Sequence, residues 1–350
     1  EQKTGRRRRL AETLGVVLLA SGLMAWQKPA DAQIDALRKH GMGLVSQNRV
    51  VTEIGGMPVS LVYLRGDFRE DGRPYLWPEL EPKEGVYNFS SIINALNAAQ
   101  AAGLKVGIRI MTAHPFVLRG HPEYPFFPSW IRHREVKKGA RTAHAPEWED
   151  ADVQLSIRKL LIALGRAIND HPALQFVDVG VLGWVGEWHT TNGFYNADFM
   201  PSLETQRKYV DMHIDAFGVE KLLLNLGAMD TAILDYGLSR GINGVRQDCF
   251  GSTYHMRQYE ASLRAVPRLQ KVIDTGMVVF EVCGIMHEWT HKPGDENDVT
   301  LPIREIMDVA IRWKATHFSN LGVPIPERYR AEYGRLERAM TSYVSKVEDR

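Results

Sequence analysis

Cysteine is scarce in this 350-residue chain, with two residues only, Cys249 and Cys283. That excludes a disulfide-framed small fold and leaves room for one bridge at most. Charge of one sign is also lacking, since 43 Lys and Arg stand against 42 Asp and Glu. No basic stripe is therefore available for nucleic acid or an anionic membrane surface. The chain contains no glycine-rich phosphate loop, no internal linker and no repeat beyond alternating strand and helix patterns. Its longest apolar run, Leu14 to Trp26, falls short of the roughly 20 residues that span a bilayer.

With 44% hydrophobic and 24% charged residues, the chain has the composition of a folded protein with a large core. The first segment reads as separate from that core. Arg6 to Arg9 precede the apolar run, and Ala30-Asp31-Ala32 follows it. A basic region, a short apolar region and an A-x-A site make a secretory signal peptide, expected over residues 1–32. Cleavage after Ala32 would remove six basic and three acidic residues, leaving 37 against 39 and a formal charge of −2. The expected location is therefore secreted or periplasmic, with no stable membrane insertion after cleavage. An uncleaved anchor is the alternative.

From Gln33 onward, apolar strand candidates recur at Gly41 to Ser46, Val59 to Leu64, Val106 to Met111, Phe176 to Leu182, Leu222 to Leu226, Gly244 to Arg246, Met277 to Phe280 and Ala315 to Phe318. Helical periodicity separates most of them, at Ile92 to Ala102, Val153 to Asn169, Leu203 to Phe217, Met256 to Val266 and Ile303 to Lys314. The expectation is a single (β/α)8 TIM barrel over residues 33–350, with a doubly wound open sheet as the alternative. Residues 115–149, rich in proline and aromatics, are expected to form a long loop over the C-terminal face.

One stretch is specific. Trp77 to Phe89 reads WPELEPKEGVYNF, and a helix capped by Asn88 or Ser90, a Gly103 stop and a short apolar strand follow. This "W-x-x-LEP-x-EG-x-Y-x-F" pattern resembles the segment after the second barrel strand in clan-A glycoside hydrolases. It is most similar to family 42 β-galactosidases and the β-galactosidase-like secreted bacterial proteins related to them.

The resemblance implies an acid/base Glu after strand four and a nucleophilic Glu at the end of strand seven. Glu187 and Glu281 match these positions. A retaining hydrolase uses the first carboxyl to protonate the leaving oxygen and the second to attack the anomeric carbon. The acid then needs a raised pKa and the nucleophile donors that keep it ionised. Gly186 stands where the clan usually carries Asn. Arg65, Arg109 and Asp248 are candidates to hydrogen-bond sugar hydroxyls, and His114, His189 and His317 to contact the sugar. Trp77, Trp184 and Trp188 are candidates to stack on sugar rings, with core packing as the competing role. No cofactor is required, because two carboxylates suffice. The partner would be an oligo- or polysaccharide.

Two alternatives stay open. A barrel of this kind can bind carbohydrate without turning it over. His287-Glu288-Trp289-Thr290-His291 also matches H-E-x-x-H, the zinc metalloprotease motif, which needs both histidines on one helical face. Pro293 and Gly294 follow at once and disfavour such a helix.

Overall fold

The computed structural model describes residues 29–66, 70–115, 126–138, 141–192, 195–196, 198–290, 299 and 301–348. The N-terminal stretch expected to direct export lies outside these residues, except for its last few positions, which belong to the helix Pro29–Lys39. No helix of the described residues is long and apolar enough to cross a membrane.

Eight parallel strands form the sheet: β1 Gly43–Gln47, β2 Met57–Arg65, β3 Lys105–Arg109, β4 Leu174–Asp178, β5 Leu222–Asn225, β6 Gly244–Phe250, β7 Met277–Val282 and β8 His317–Ser319. Each pairs with its neighbour in sequence, and β1 pairs with both β2 and β8, so the sheet closes. The chain is a (β/α)8 barrel, as the alternation implies. A two-residue strand, Glu53–Ile54, adds a hairpin to the start of β2.

Side chains alternate across a strand, so each strand sends every second residue into the barrel. Val45, Leu61, Tyr63, Phe176, Leu223 and Val279 meet inside as one apolar cluster. Gly107 is small because Phe176 fills the space beside it, and a Cβ there would lie 2.2 Å from the phenyl Cζ. Continuing the same parity toward the strands' C-terminal ends places Arg65, Arg109, Asp178, Arg246 and Glu281 in the layer above. A run of hydrophobic interior thus ends in charge.

The opposite strand faces pack against helices. In Ala151–Ile168, Asp150 caps the N-terminus by accepting from the Asp152 and Val153 amides at 3.0 and 3.2 Å. Val153, Ile157, Leu160, Leu161, Leu164 and Ile168 then fall on one buried face. The C-terminal helix Glu327–Glu348, absent from the expected set, buries Tyr333, Leu336, Met340 and Val344 at the same spacing among many charges. The expected loop over residues 115–149 contains an antiparallel hairpin, His133–Lys138 with Arg141–Pro146.

The WPELEPKEG segment has a structural explanation. Glu81 is buried, accepts from the Trp77 indole N–H at 2.7 Å and from the Gly85 amide at 2.8 Å. Its carboxylate staples the short helix Trp77–Leu80 to the following turn, where Gly85 has φ +72°. Asn88 accepts from the Ser90 amide at 3.1 Å, ahead of the helix Ser90–Ala101.

Candidate active site

Glu187 lies on the loop between β4 and the next helix. Two hydrogen bonds hold this loop to the segment that follows β3, Val181 N–H to Ile110 O and Val185 N–H to Ala113 O, and a third, Trp188 N–H to Leu182 O, closes the loop on itself, at 2.8–2.9 Å. Its backbone is strained, with φ of +73° at Val181, +50° at Val185 and +61° at Trp188. Left-handed backbone at β-branched residues is costly and tends to occur where function needs it. Gly186 has φ +71°, and a Cβ there would lie 3.2 Å from Ile110 O. The residue that the clan usually has at this position would therefore meet strain and crowding here.

The three tryptophans are core residues. Trp77, Trp184 and Trp188 are buried. The Trp184 indole donates to Thr190 O at 2.7 Å and that of Trp188 to Val179 O at 2.6 Å. Both anchor the loop that carries Glu187, and neither offers a face to a sugar. His317 is also corrected. The register pairs Glu281 with Ser319 and Val279 with His317, so His317 sits one layer below the carboxylates. Its ring meets Phe176 edge-on, and it lines a cavity of about 690 Å³ at the opposite end of the barrel together with His40 and Gln175.

Glu187, Glu281, Arg65, Arg109, His189 and Asp248 do come together. Arg109 donates to Glu187 Oε1 at 2.7 Å, and Arg65 to Glu281 Oε1 at 3.1 Å. His189 Nε2 stands 3.8 Å from Glu187 Oε2. His114, on the segment after β3, stacks on Phe126 with ring centroids 5.1 Å apart. One carboxylate oxygen from each of Glu187, Asp248 and Glu281 lies within 4.8 Å of the others.

Arg246 is the residue that sequence reasoning passed over. It reaches Glu281 Oε2 at 2.9 Å, Asp178 Oδ2 at 3.4 Å, and Glu187 Oε1 and Asp248 Oδ1 at 3.7 Å. Tyr63 donates to Asp178, and its ring lies 5.6 Å from the Arg109 guanidinium and 5.5 Å from that of Arg246. Arg246 lies in an apolar strand, as Arg109 does, and that signal was present in the sequence.

The electrostatics divide the carboxyls. Burial pushes Glu281 up, but Arg246, Arg65 and Arg109 outweigh it and bring its pKa down to about 2. Burial likewise opposes ionisation of Glu187, and Arg109, His189 and Arg246 hold it well below the usual carboxylate range. Asp248 goes the other way. Burial and the Glu187 carboxylate beside it push its pKa well up. The raised pKa required of an acid therefore falls within the Asp248–Glu187 pair, with Asp248 the member pushed up by the other's charge.

Three converging carboxylates are also a conceivable cation site. Arg109 and Arg246 already occupy that ground with positive charge, which disfavours a metal ion. Cys249 and Cys283, next to Asp248 and Glu281, are joined in a disulfide with Cα atoms 3.6 Å apart. His287 and Glu288 are exposed in a turn, not on a helix, and His291 lies outside the described residues. The helical geometry that a zinc protease motif needs is absent from its described part.

No protein-family model matches the chain, and no curated protein does. The likeness to family 42 thus finds no support beyond the quoted residues. Solved structures do match in fold. Xylanase 10B from Thermotoga maritima superposes with a TM-score of 0.50 at 11% identity, over 90% of this chain and 99% of its own. The β-amylase catalytic domain from Paenibacillus polymyxa gives 0.49 at 9% identity, over 89% and 94%. Endo-glycoceramidase II from Rhodococcus sp. gives 0.45 at 12%, over 81% and 74%.

Proposed function

We propose that this chain is a retaining glycoside hydrolase acting on a β-glycosidic bond of an oligo- or polysaccharide. The observation that carries the reading is the meeting of Glu187, on the loop after strand four, with Glu281, near the end of strand seven, with carboxylate oxygens within 4.8 Å. Retaining enzymes hold their carboxyls about 5–5.5 Å apart, and inverting ones leave room for a water between them. Glu281, ionised between Arg65 and Arg246, is the nucleophile that forms the glycosyl-enzyme bond. Glu187 stands across from it, where proton transfer to and from the leaving oxygen takes place. Arg65, His114 and His189 contact sugar hydroxyls.

The chain is read as exported through residues 1–32, and a disulfide between Cys249 and Cys283 suits an oxidising compartment. N-terminal sequencing of secreted protein tests this reading: a start at Gln33 supports it, and an intact basic N-terminus refutes it.

The test of function is turnover of a panel of aryl β-glycosides by wild type, Glu187→Gln and Glu281→Gln, with the product anomer read by NMR. Turnover by wild type with first-formed β-product, lost in both variants, supports the reading. A first-formed α-product overturns retention.

A second reading has an observation of its own. Glu187 and Glu281 are only 5% and 3% exposed, and both are engaged by arginines, as in a structural ion-pair network. A barrel that binds carbohydrate without turnover would show saturable binding to an oligosaccharide array and no hydrolysis.

A further inference from the structure

Among the described residues, the guanidinium groups of Arg65, Arg109 and Arg246 meet four carboxyls, those of buried Asp178, Glu187 and Glu281 and that of half-buried Asp248 at the rim. Full ionisation of these seven groups leaves one negative charge in excess, which a proton on one carboxyl or on the His189 imidazole beside Glu187 offsets. One proton is therefore favoured within the set.

Its place follows from the contacts. Glu187 and Glu281 have guanidinium nitrogens at 2.7 and 2.9 Å, and Asp178 accepts from Tyr63. Among the described residues Asp248 has no closer cation than Arg246 at 3.7 Å, and it faces two other carboxylates. It is also the most accessible of the three at the mouth, with 29% of its side chain exposed against 7% and 4% for Glu187 and Glu281.

The backbone is built to aim this side chain. The β6–β7 register breaks between Gln247 and Phe250, and Cys249 takes φ +53°. Such bulges re-aim side chains beside active sites. Tyr259 Oη at 2.9 Å and the Gln247 side-chain amide at 2.8 Å both donate to the Asp248 carbonyl. The disulfide ties the next residue to the end of β7.

We propose that Asp248 is a catalytic residue of this site, storing the proton that protonates the leaving oxygen and sharing it with Glu187. This rests on the hydrolase reading above. In the first step the Asp248 O–H proton passes to the glycosidic oxygen, the bond from that oxygen to the anomeric carbon breaks, and Glu281 bonds to that carbon. The aglycone leaves as a neutral alcohol and Asp248 is left a carboxylate. In the second step water attacks the anomeric carbon, the bond to Glu281 breaks, and the water's proton returns to the Asp248–Glu187 pair. Glu187 from the β4 loop and Glu281 from β7 face the Asp248 carboxyl, Arg246 reaches it from its own strand, and Tyr259 of the helix Thr253–Ala265 donates to its carbonyl, while His189 and His255 stand beside Glu187. The basic limb of the activity profile belongs to this pair.

The experiment compares wild type, Asp248→Asn, Asp248→Glu and Glu187→Gln on alkyl, nitrophenyl and dinitrophenyl glycosides. The infrared C=O stretch of a protonated carboxyl is recorded at neutral pH in each protein, and folding is checked by thermal melting. The expected result is a loss of about 10²-fold or more on alkyl glycosides in Asp248→Asn. Dinitrophenyl glycosides, which need no acid, should be nearly spared, the basic limb should vanish and the carboxyl band should disappear. Asp248→Glu should restore part of the leaving-group tolerance. An equal loss on every leaving group, or a carboxyl band that persists in Asp248→Asn, overturns the proposal. Leaving-group dependence in Glu187→Gln with normal Asp248→Asn assigns the acid to Glu187 alone and leaves the hydrolase reading intact. A wild type inert on all glycosides removes that reading and the acid role together, and the band still reports where the proton sits.

Discussion

Replacing Arg246 with methionine keeps the unbranched apolar stem and removes the guanidinium that touches Glu281 and Asp178 from inside the barrel. Both carboxyls are nearly inaccessible, at 3% and 4% exposure, so water cannot replace the lost cation. Breaking a buried pair from one side costs about 3–5 kcal/mol. With the usual unfolding entropy per residue, that lowers the melting temperature of a chain of this size by about 4–8 °C.

The same substitution alters acid behaviour. Glu281 has a folded pKa of about 2, depressed mainly by Arg246, so it contributes stability above the unfolded value that is lost as pH falls toward 2. Without Arg246 that loss begins at higher pH, and the acid limb of kcat/KM on an aryl glycoside rises by about 1–3 units. Calorimetry at pH 7 and pH–rate profiles read both effects. Combining Arg246→Met with Glu281→Gln should destabilise less than the sum of the two, because the second change removes the stranded charge. An Arg246→Met protein that melts within about 1 °C of wild type, with additive behaviour in the double variant, would refute the reasoning.

Other outcomes follow from the same structure. Glu81→Ala strands the buried Trp77 indole N–H, at about 1–3 kcal/mol, and removes the acceptor of the exposed Gly85 amide, at about 0.5–1.5 kcal/mol, so urea unfolding should show a total loss of about 2–4 kcal/mol. Gly186→Ala places a Cβ at a left-handed position 3.2 Å from Ile110 O and should cost about 1–2 kcal/mol while displacing Glu187; a melting curve and turnover assay that match wild type contradict this. His213 and His317 are buried and held neutral, with pKa values lowered to about 4 by desolvation. The unfolded chain takes up protons near pH 6.5, so stability present above that value declines between pH 6.5 and 4 by roughly 3 kcal/mol per histidine. A urea midpoint flat across that window rules it out. His287→Ala should leave turnover unchanged and chelators should have no effect, since His287 stands in an exposed turn; bound zinc lost with the substitution would reverse that.

The order of strands and helices was readable because apolar runs separated by amphipathic helices specify the barrel through local periodicity. Arg65, Glu187, Asp248 and Glu281 were readable for a related reason: barrel topology places strand ends at one mouth whatever the loops do. The WPELEP segment was legible as a pattern, and its reason, a Glu81 staple, became visible once Trp77 and Gly85 stood beside that carboxylate. The fate of the tryptophans was not legible. An indole reads the same in sequence whether it lines a cleft or anchors a loop from beneath.

Strand periodicity and order, contained in the sequence itself, determined the barrel and put Glu187 and Glu281 after strands four and seven, while the resemblance implied their roles. Closure and register decided the rest. One step of strand alternation separates His317, facing Phe176 in the lower layer, from Ser319 level with Glu281. The proton proposed on Asp248 depends on a sum over Glu187, Arg246 and Glu281, which lie far apart along the chain. Coulomb energies depend on distance in space and on exclusion of water, and only the folded barrel supplies either.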